Sequence, residues 1–482
     1  VARWLTQGGD ERIVLNALGR NRYGCGPLPE PGAASFSSST ASTISPAALA
    51  AACERLDGFT AFRSPREAYA AGMAQVRRRL AGLCGLSPAG AENVILGASG
   101  TDLHLVAVDL ARGERARRAV SVMADPGESG RGVASALCSR RYAQAAPHGA
   151  PAVVGDRLDA HEGAGTGAGL LAVPLREADG TLRDAAAVDA AFEAAVDRAM
   201  AAGGAVLLIL LDVSKTGLVA PSIDCAVQLK RRFGAALTVM VDACQFRLSA
   251  ESLGGYLAEN FLVAVTGSKF VGGPAFCGAL IAPDGELERL RRTPITPALG
   301  DYSARADWPA GFVARGVLPD AQNLGLLLRW EAALCELTAF RQLAEAEVCR
   351  ALDRIAAAVA AGLSANGFEP LPTARLRRFG RDGWDARPSL FPFLVRNASG
   401  WLTREQTQRL YEDLASGEEH RLLLGQPVAI GRRAGGPVSA LRLAISARQL
   451  VTAVAEPGGA EALDHQIGAA LDLVAMRADA LS

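Results

Sequence analysis

Lys269 is the residue in this chain whose surroundings argue most strongly for chemistry. It sits in Thr266-Gly267-Ser268-Lys269-Phe270-Val271-Gly272-Gly273-Pro274, directly after the apolar run FLVAVT. A lysine taken at random is a solvated surface residue, but one between a buried strand and a Gly-Gly-Pro turn is poorly placed for that. A desolvated amine there is a usable nucleophile for Schiff-base chemistry. One predicted strand upstream, Asp242 ends the run LTVMV in Val241-Asp242-Ala243-Cys244-Gln245. A carboxylate closing so apolar a strand is costly unless it is paired; the alternative is a helix N-cap on an ordinary turn. A third cluster, Gly97-Ala98-Ser99-Gly100-Thr101-Asp102, lies between a predicted strand at 93–96 and a helix expected to begin near Leu103. Backbone N–H groups at a helix start, with the Ser99 and Thr101 hydroxyls, suit a phosphate. The same small-residue turn with a Thr or Asp cap also occurs in proteins that bind none.

All three clusters fall where predicted strands end, and open α/β sheets bind ligands just outside the carboxyl ends of their strands. Between about 90 and 285 the predicted strands are 93–96, 119–123, 170–173, 206–211, 238–241, 261–266 and 278–282, alternating with alanine-rich helical stretches. That alternation predicts an α/β fold with a large, mostly parallel, doubly wound seven-stranded sheet. The pattern turns helical from Pro46, and 65–83 reads as an amphipathic helix. A long helix is expected over 320–339, followed by a smaller α+β unit with strands at 389–395 and 440–445. The expected division is an N-terminal arm over 1–50, a large domain over 51–319, and an interdomain helix with a small C-terminal domain over 320–482. The arm is rich in Gly, Pro and Ser, yet Tyr23, Phe36 and Ile44 give it apolar anchors. We expect it to be ordered, with 23–27 and 37–39 approaching the substrate. The Gly-rich run at 161–169 reads as a surface turn and not as a phosphate cradle.

A chain of 482 residues is too long for one compact core. Its 50 Lys+Arg balance 50 Asp+Glu, so no overall field favours nucleic acid or an anionic membrane, and a small-molecule substrate is expected. The 9 cysteines form no CxxC pair, which argues against zinc and disulfide exchange and for buried thiols in a reducing cytoplasm. No signal peptide or anchor is visible. The apolar run 205–211 is far shorter than the roughly 20 residues of a membrane-spanning helix and closes on Asp212.

The three clusters together resemble those of the fold-type I pyridoxal-5′-phosphate (PLP) enzymes, in particular the class V aminotransferase and cysteine desulfurase group. There a small-residue loop holds the cofactor phosphate, an Asp-x-x-Gln motif holds the ring, and a Ser/His-Lys motif supplies the Schiff base. Ser99-Gly100-Thr101, Asp242 with Gln245, and Ser268-Lys269 match in order and approximate spacing, over roughly residues 50 to 450. The resemblance implies PLP on Lys269, with Asp242 against the protonated pyridine nitrogen and Gln245 donating to the phenolic oxygen. It also implies that Thr266 and Ser268 help to hold the phosphate, in a homodimer with active sites at the interface. Softer matches put Ser214 or Thr216 near the ring or substrate and leave Lys215 either there or on the surface. They make Arg442 the arginine that grips the substrate carboxylate, with Arg448 as fallback. One departure stands out. Many relatives stack a histidine on the ring, whereas Asp125-Pro126-Gly127-Glu128-Ser129-Gly130-Arg131 offers no histidine or aromatic residue. Glu128 is either an acid or base or, more commonly for such a position, an exposed loop carboxylate. His104 is expected to pack, and His148, His161, His420 and His465 are assigned nothing.

PLP labilises whichever bond at the α-carbon the protein holds perpendicular to the ring. A desulfurase of this group needs a mobile thiol in its C-terminal part. No cysteine follows Cys349, and Cys335 and Cys349 lie in helical patterns, so that subclass is disfavoured. A transaminase needs a lysine proton shuttle and an arginine, for which Lys269 and Arg442 serve. Aminotransfer to or from an amino acid or amine is therefore the first expectation. A C–S or C–C lyase or an amino-acid decarboxylase is the second. A non-catalytic PLP-binding protein is the alternative of another class, against which Asp242, Gln245 and Lys269 argue.

Overall fold

In a computed structural model of the chain, all residues are described except 62–63, 114–117, 159–167, 374, 418–419, 435 and 482. The seven expected strands all form and lie in one sheet. Their spatial order is Val94–Gly97, Gly278–Ile281, Leu262–Thr266, Leu237–Ala243, Ala205–Asp212, Ala119–Ala124, Ala168–Val173. Gly278–Ile281 runs antiparallel to both of its neighbours and the other neighbouring pairs are parallel. An eighth strand of two residues, Val219–Ala220, pairs with the end of Ala205–Asp212.

The central strands are apolar throughout because both faces are covered. Leu208, Leu210, Val239, Val241, Val263 and Val265 enter one core with the helices Pro65–Leu83, Ala185–Ala201 and Ile223–Phe233. Their neighbours Leu207, Ile209, Met240, Leu262 and Ala264 enter the other, beneath the helix Gly100–Arg112. This alternation of cores along each strand is what a doubly wound sheet requires. The strand ends at Gly97, Ala243 and Thr266 fall on one rim, which brings the three sequence clusters together.

A second sheet has the order Ala33–Phe36, Arg421–Arg433, Gly436–Ala444, Leu390–Leu394, Glu369–Pro370. Its first strand belongs to the N-terminal arm and runs parallel to Arg421–Leu424, so the arm is an integral edge of this sheet and not wholly irregular. The arm is tied down again by Arg329, fully buried on the helix Leu324–Arg341. It donates to the carbonyls of Leu5, Gln7, Gly8 and Phe276. A Cβ at Gly325 would lie 2.3 Å from the Gln7 carbonyl oxygen, so this close approach needs glycine.

Several boundaries differ from expectation. The long helix begins at Leu324, not 320, because Asn323 caps it by accepting from Leu326 N–H. The helix after the first strand begins at Gly100, three residues before Leu103, because Ser99 and Asp102 form a capping box. Ala168 and Gly169 belong to a strand, and the rest of the Gly-rich run lies outside the described residues. Among the described residues no helix is long and apolar enough to cross a membrane.

Candidate active site

The site grows from the capping box. Asp102 accepts from Ser99 N–H at 2.7 Å, and Ser99 Oγ accepts from Asp102 N–H at 3.3 Å. This leaves the first turn of a 13-residue helix facing the sheet rim. Gly100 is required at this turn. A Cβ there would sit 2.6 Å from Cys244 Sγ and 3.3 Å from Thr266 Cγ2. Thr266 in turn donates to the Cys244 carbonyl at 2.6 Å, binding two strand ends together. Burial raises Asp102 to about 6 against the opposing pull of the Tyr142 hydroxyl, which donates to it.

Asp242 closes the central strand in a buried position. Burial alone would push its carboxyl up. The interaction with His104, the charge of Lys269 and the Cys244 N–H outweigh this and hold it well below the usual carboxylate range, so it is ionised. His104 Nδ1 lies 2.8 Å from the Gly100 carbonyl, and Nε2 lies 3.3 Å from Asp242 Oδ2, without hydrogen-bond alignment. The expectation that His104 merely packs needs correction: it is buried, but its ring bridges the phosphate-type turn and the carboxylate. The spacing held a signal, since four residues past Gly100 on a helix is one turn along the same face.

A cavity of about 440 Å³ opens here. Ten expected residues line it: Tyr23, Ser99, Gly100, Thr101, Asp242, Gln245, Thr266, Ser268, Lys269 and Arg442. Ser214 does not. Val213 adopts φ +57°, a left-handed conformation rare for a β-branched residue, and this turns Val213 and Lys215 toward the cavity. Ser214 and Thr216 face away, and both donate to Glu128, at 2.8 and 2.7 Å. Glu128 is thus not an exposed loop carboxylate. It is 5% exposed, lines the cavity, and also accepts from Arg176 Nε at 3.2 Å. Lys215 is half-buried, with Nζ 3.2 Å from the Gly127 carbonyl. Burial and the charges of Arg442 and Lys269 lower it to about 8.

Arg442 stands on the strand Gly436–Ala444 and donates from Nε to the Gln426 carbonyl at 2.9 Å and from Nη2 to Thr40 Oγ1 at 3.0 Å. Burial lowers it to about 10, partly offset by Tyr411 and Glu128, and it stays charged at neutral pH. Arg448, the fallback, is withdrawn. It donates to Glu336 and to the carbonyls of Thr43 and Gly272, outside the cavity. From the arm, Tyr23, Ser39 and Thr40 line the cavity. Ser37 and Ser38 instead donate to the carbonyls of Ala41 and Ala444, and Cys25 to Pro27 line a separate small pocket. Arg12, Arg22 and Tyr411 also line the cavity, and no motif in the sequence marked them.

Four buried polar atoms of cavity residues lack a hydrogen-bond partner: Ser39 Oγ, His104 Nε2, Gln245 Oε1 and Arg442 Nη1. The amide nitrogen of Gln245 donates to the Ser39 carbonyl at 3.0 Å, so its second N–H and its Oε1 remain for a ligand. Buried polar atoms without partners are rare, and their convergence on one cavity marks a place for a polar ligand.

No protein-family model matches the chain, and no curated protein sequence does. Solved structures do. A lysine-to-alanine variant of C-DES with glycine covalently linked to the PLP cofactor aligns with TM-score 0.54 at 15% identity, over 90% of this chain and 96% of that one. A NifS-like protein aligns with TM-score 0.54 at 13% identity, over 91% and 99%. The chain has the fold-type I architecture of PLP-dependent enzymes. A complex of the cystine C–S lyase C-DES with its product cysteine persulfide shares this fold-type I architecture, with TM-score 0.52 at 14% identity over 90% and 97%.

Proposed function

We propose that this chain is a PLP-dependent enzyme that acts on an amino acid or amine through Lys269. The observation that carries the reading is the convergence of an anion-binding turn, an ionised buried carboxylate and a lysine amine on one cavity with four unpaired polar atoms. These groups fit PLP. Backbone N–H groups at Gly100 and Thr101, with the hydroxyls of Ser99 and Ser268, suit its phosphate, whereas the Thr266 hydroxyl is spent on the Cys244 carbonyl. Asp242 suits a protonated ring nitrogen, Gln245 the phenolic oxygen, and Lys269 the aldehyde. When bound, PLP supplies the electron sink that labilises a bond at the substrate α-carbon.

The chain's own residues do the rest. Asp242 holds the ring-nitrogen proton, and its ionisation is secured by His104 and Lys269. Arg442 presents the free Nη1 to the substrate carboxylate and is itself oriented by Gln426 and Thr40. Lys269 would hold the cofactor and, as a free amine, would move a proton at the substrate α-carbon. Tyr23, Ser39 and Thr40 line the cavity from the arm side.

The finer reading is aminotransfer, for which Lys269 and Arg442 supply the proton shuttle and the carboxylate anchor. The second reading is a C–S lyase, favoured by the likeness to C-DES. Product analysis of the PLP-loaded protein separates them. A keto acid with nitrogen passed to an acceptor supports aminotransfer, ammonia with a thiol or persulfide fragment supports the lyase, and carbon dioxide contradicts both. We also propose, on the resemblance alone, a homodimer with the sites at its interface, which sedimentation at equilibrium tests.

A further inference from the structure

Three of the cavity's cations have no part in the reading above. Six Arg or Lys side chains line it against three carboxylates. Arg12 is neutralised by Asp10, and Glu128 is engaged by Arg176 and two hydroxyls. On the reading above, Lys269 is consumed by the covalent link, Asp242 by the ring, Arg442 by the α-carboxylate, and the phosphate is held by the N–H groups and hydroxyls at the Gly100 turn. Lys215, Arg131 and Arg22 remain. None of them has a carboxylate partner among the described residues, and the remaining lining carboxylate, Glu412, accepts from Gln408. Lys215 is half-buried beside the Gly127 carbonyl, while Arg131 and Arg22 are exposed at the mouth.

We propose that Lys215 and Arg131 form a second anion subsite, so that the preferred substrate is an amino acid whose side chain carries a carboxylate or phosphate. The inference rests on the PLP reading. Its physical basis is that an ammonium facing other cations gains more from an incoming anion than an isolated one does. With Lys269 in the covalent link and Arg442 on the α-carboxylate, Arg131 remains beside Lys215 as a cation without a carboxylate partner, and Glu128 opposes it. The left-handed turn at Val213 is what points Lys215 inward.

The test is calorimetric binding to the PLP-loaded protein of glutarate and 3-phosphonopropionate against butyrate. Wild type should prefer one of the two dianions by about tenfold or more, and the larger preference identifies the side-chain group. Lys215→Gln should bring the dianion-to-butyrate ratio to about threefold or less, Arg131→Gln should lower it partly, and Lys215→Arg should retain it. Equal affinities in wild type, or a ratio that survives Lys215→Gln, overturns the proposal. Failure of the PLP reading is distinguishable, because it shows as no lysine-bound absorption band in any variant.

Discussion

At the scale of single residues, the proposed function requires Asp242 ionised and Arg442 free. Asp242→Asn should lower kcat by about a thousandfold, because a neutral amide cannot hold the ring-nitrogen proton. His104→Asn should cost about tenfold by loosening the same carboxylate. Arg442→Gln should raise KM by about a hundredfold, as expected when a charge-assisted contact to the carboxylate is lost. Steady-state kinetics on the three variants check these, and an Asp242→Asn enzyme with near-normal kcat would contradict the role given to Asp242. Lys215 adds a pH dependence. It is lowered to about 8 by burial, then by Arg442, Lys269 and Arg131, with Glu128 opposing. The preference for dianions should therefore be strongest below about 8 and weaken as the pH rises through it, leaving the share due to Arg131.

At the scale of elements, what matters is how a turn or loop aims its side chains. Gly100→Ala should weaken PLP binding, because the new Cβ collides with Cys244 Sγ at 2.6 Å. Cys244→Ala in the same chain should restore much of it by removing that sulfur. Fluorescence titration of PLP reads both, and an unimpaired Gly100→Ala would show that the turn is not tightly held. The elements themselves were largely legible: runs such as LTVMV and FLVAVT are buried on both faces, and a continuous apolar run ends where a strand ends. Capping was harder to read. Asp102 looked like a helix cap and is instead the third helical residue of a box capped by Ser99. Ser214 was misplaced because one left-handed residue, Val213, reverses which side chains face inward, and no local pattern announces that. Glu128 looked exposed because its hydroxyl and guanidinium partners, Ser214, Thr216 and Arg176, come from segments about 50 to 90 residues away in sequence.

At the scale of the whole molecule, the cavity is assembled from the large sheet, the small sheet and the arm. Arg247 shows how they are joined. It is a buried guanidinium that donates to Ser38 of the arm, to the Ser389 and Ile445 carbonyls beside the small sheet, and stacks on Phe270 next to Lys269. Burial lowers it to about 9, with Arg442 adding to the shift. Arg247→Met should destabilise the fold by about 2–4 kcal/mol, since several buried acceptors lose their donor. It should also raise KM by freeing the arm, which a purely structural role far from the site would not do. Deleting residues 1–45 removes the edge strand Ala33–Phe36 and the partners of Arg329, and should abolish substrate binding while lowering Tm. Wild-type kinetics after this deletion would contradict the arm's part in the site. None of this cross-linking by arginines could be read from the chain, because most of its acceptors are backbone carbonyls, which leave no residue signature.

The proposed function requires that Lys269 carry PLP in this cavity. The most direct measurement is the visible absorption spectrum of PLP-loaded protein before and after borohydride reduction, followed by peptide mapping, for wild type and Lys269→Ala. We expect a band that borohydride abolishes in wild type, a pyridoxyl adduct on Lys269, and neither in the variant. A wild-type protein with no band and no adduct, or an adduct on another lysine, would contradict it.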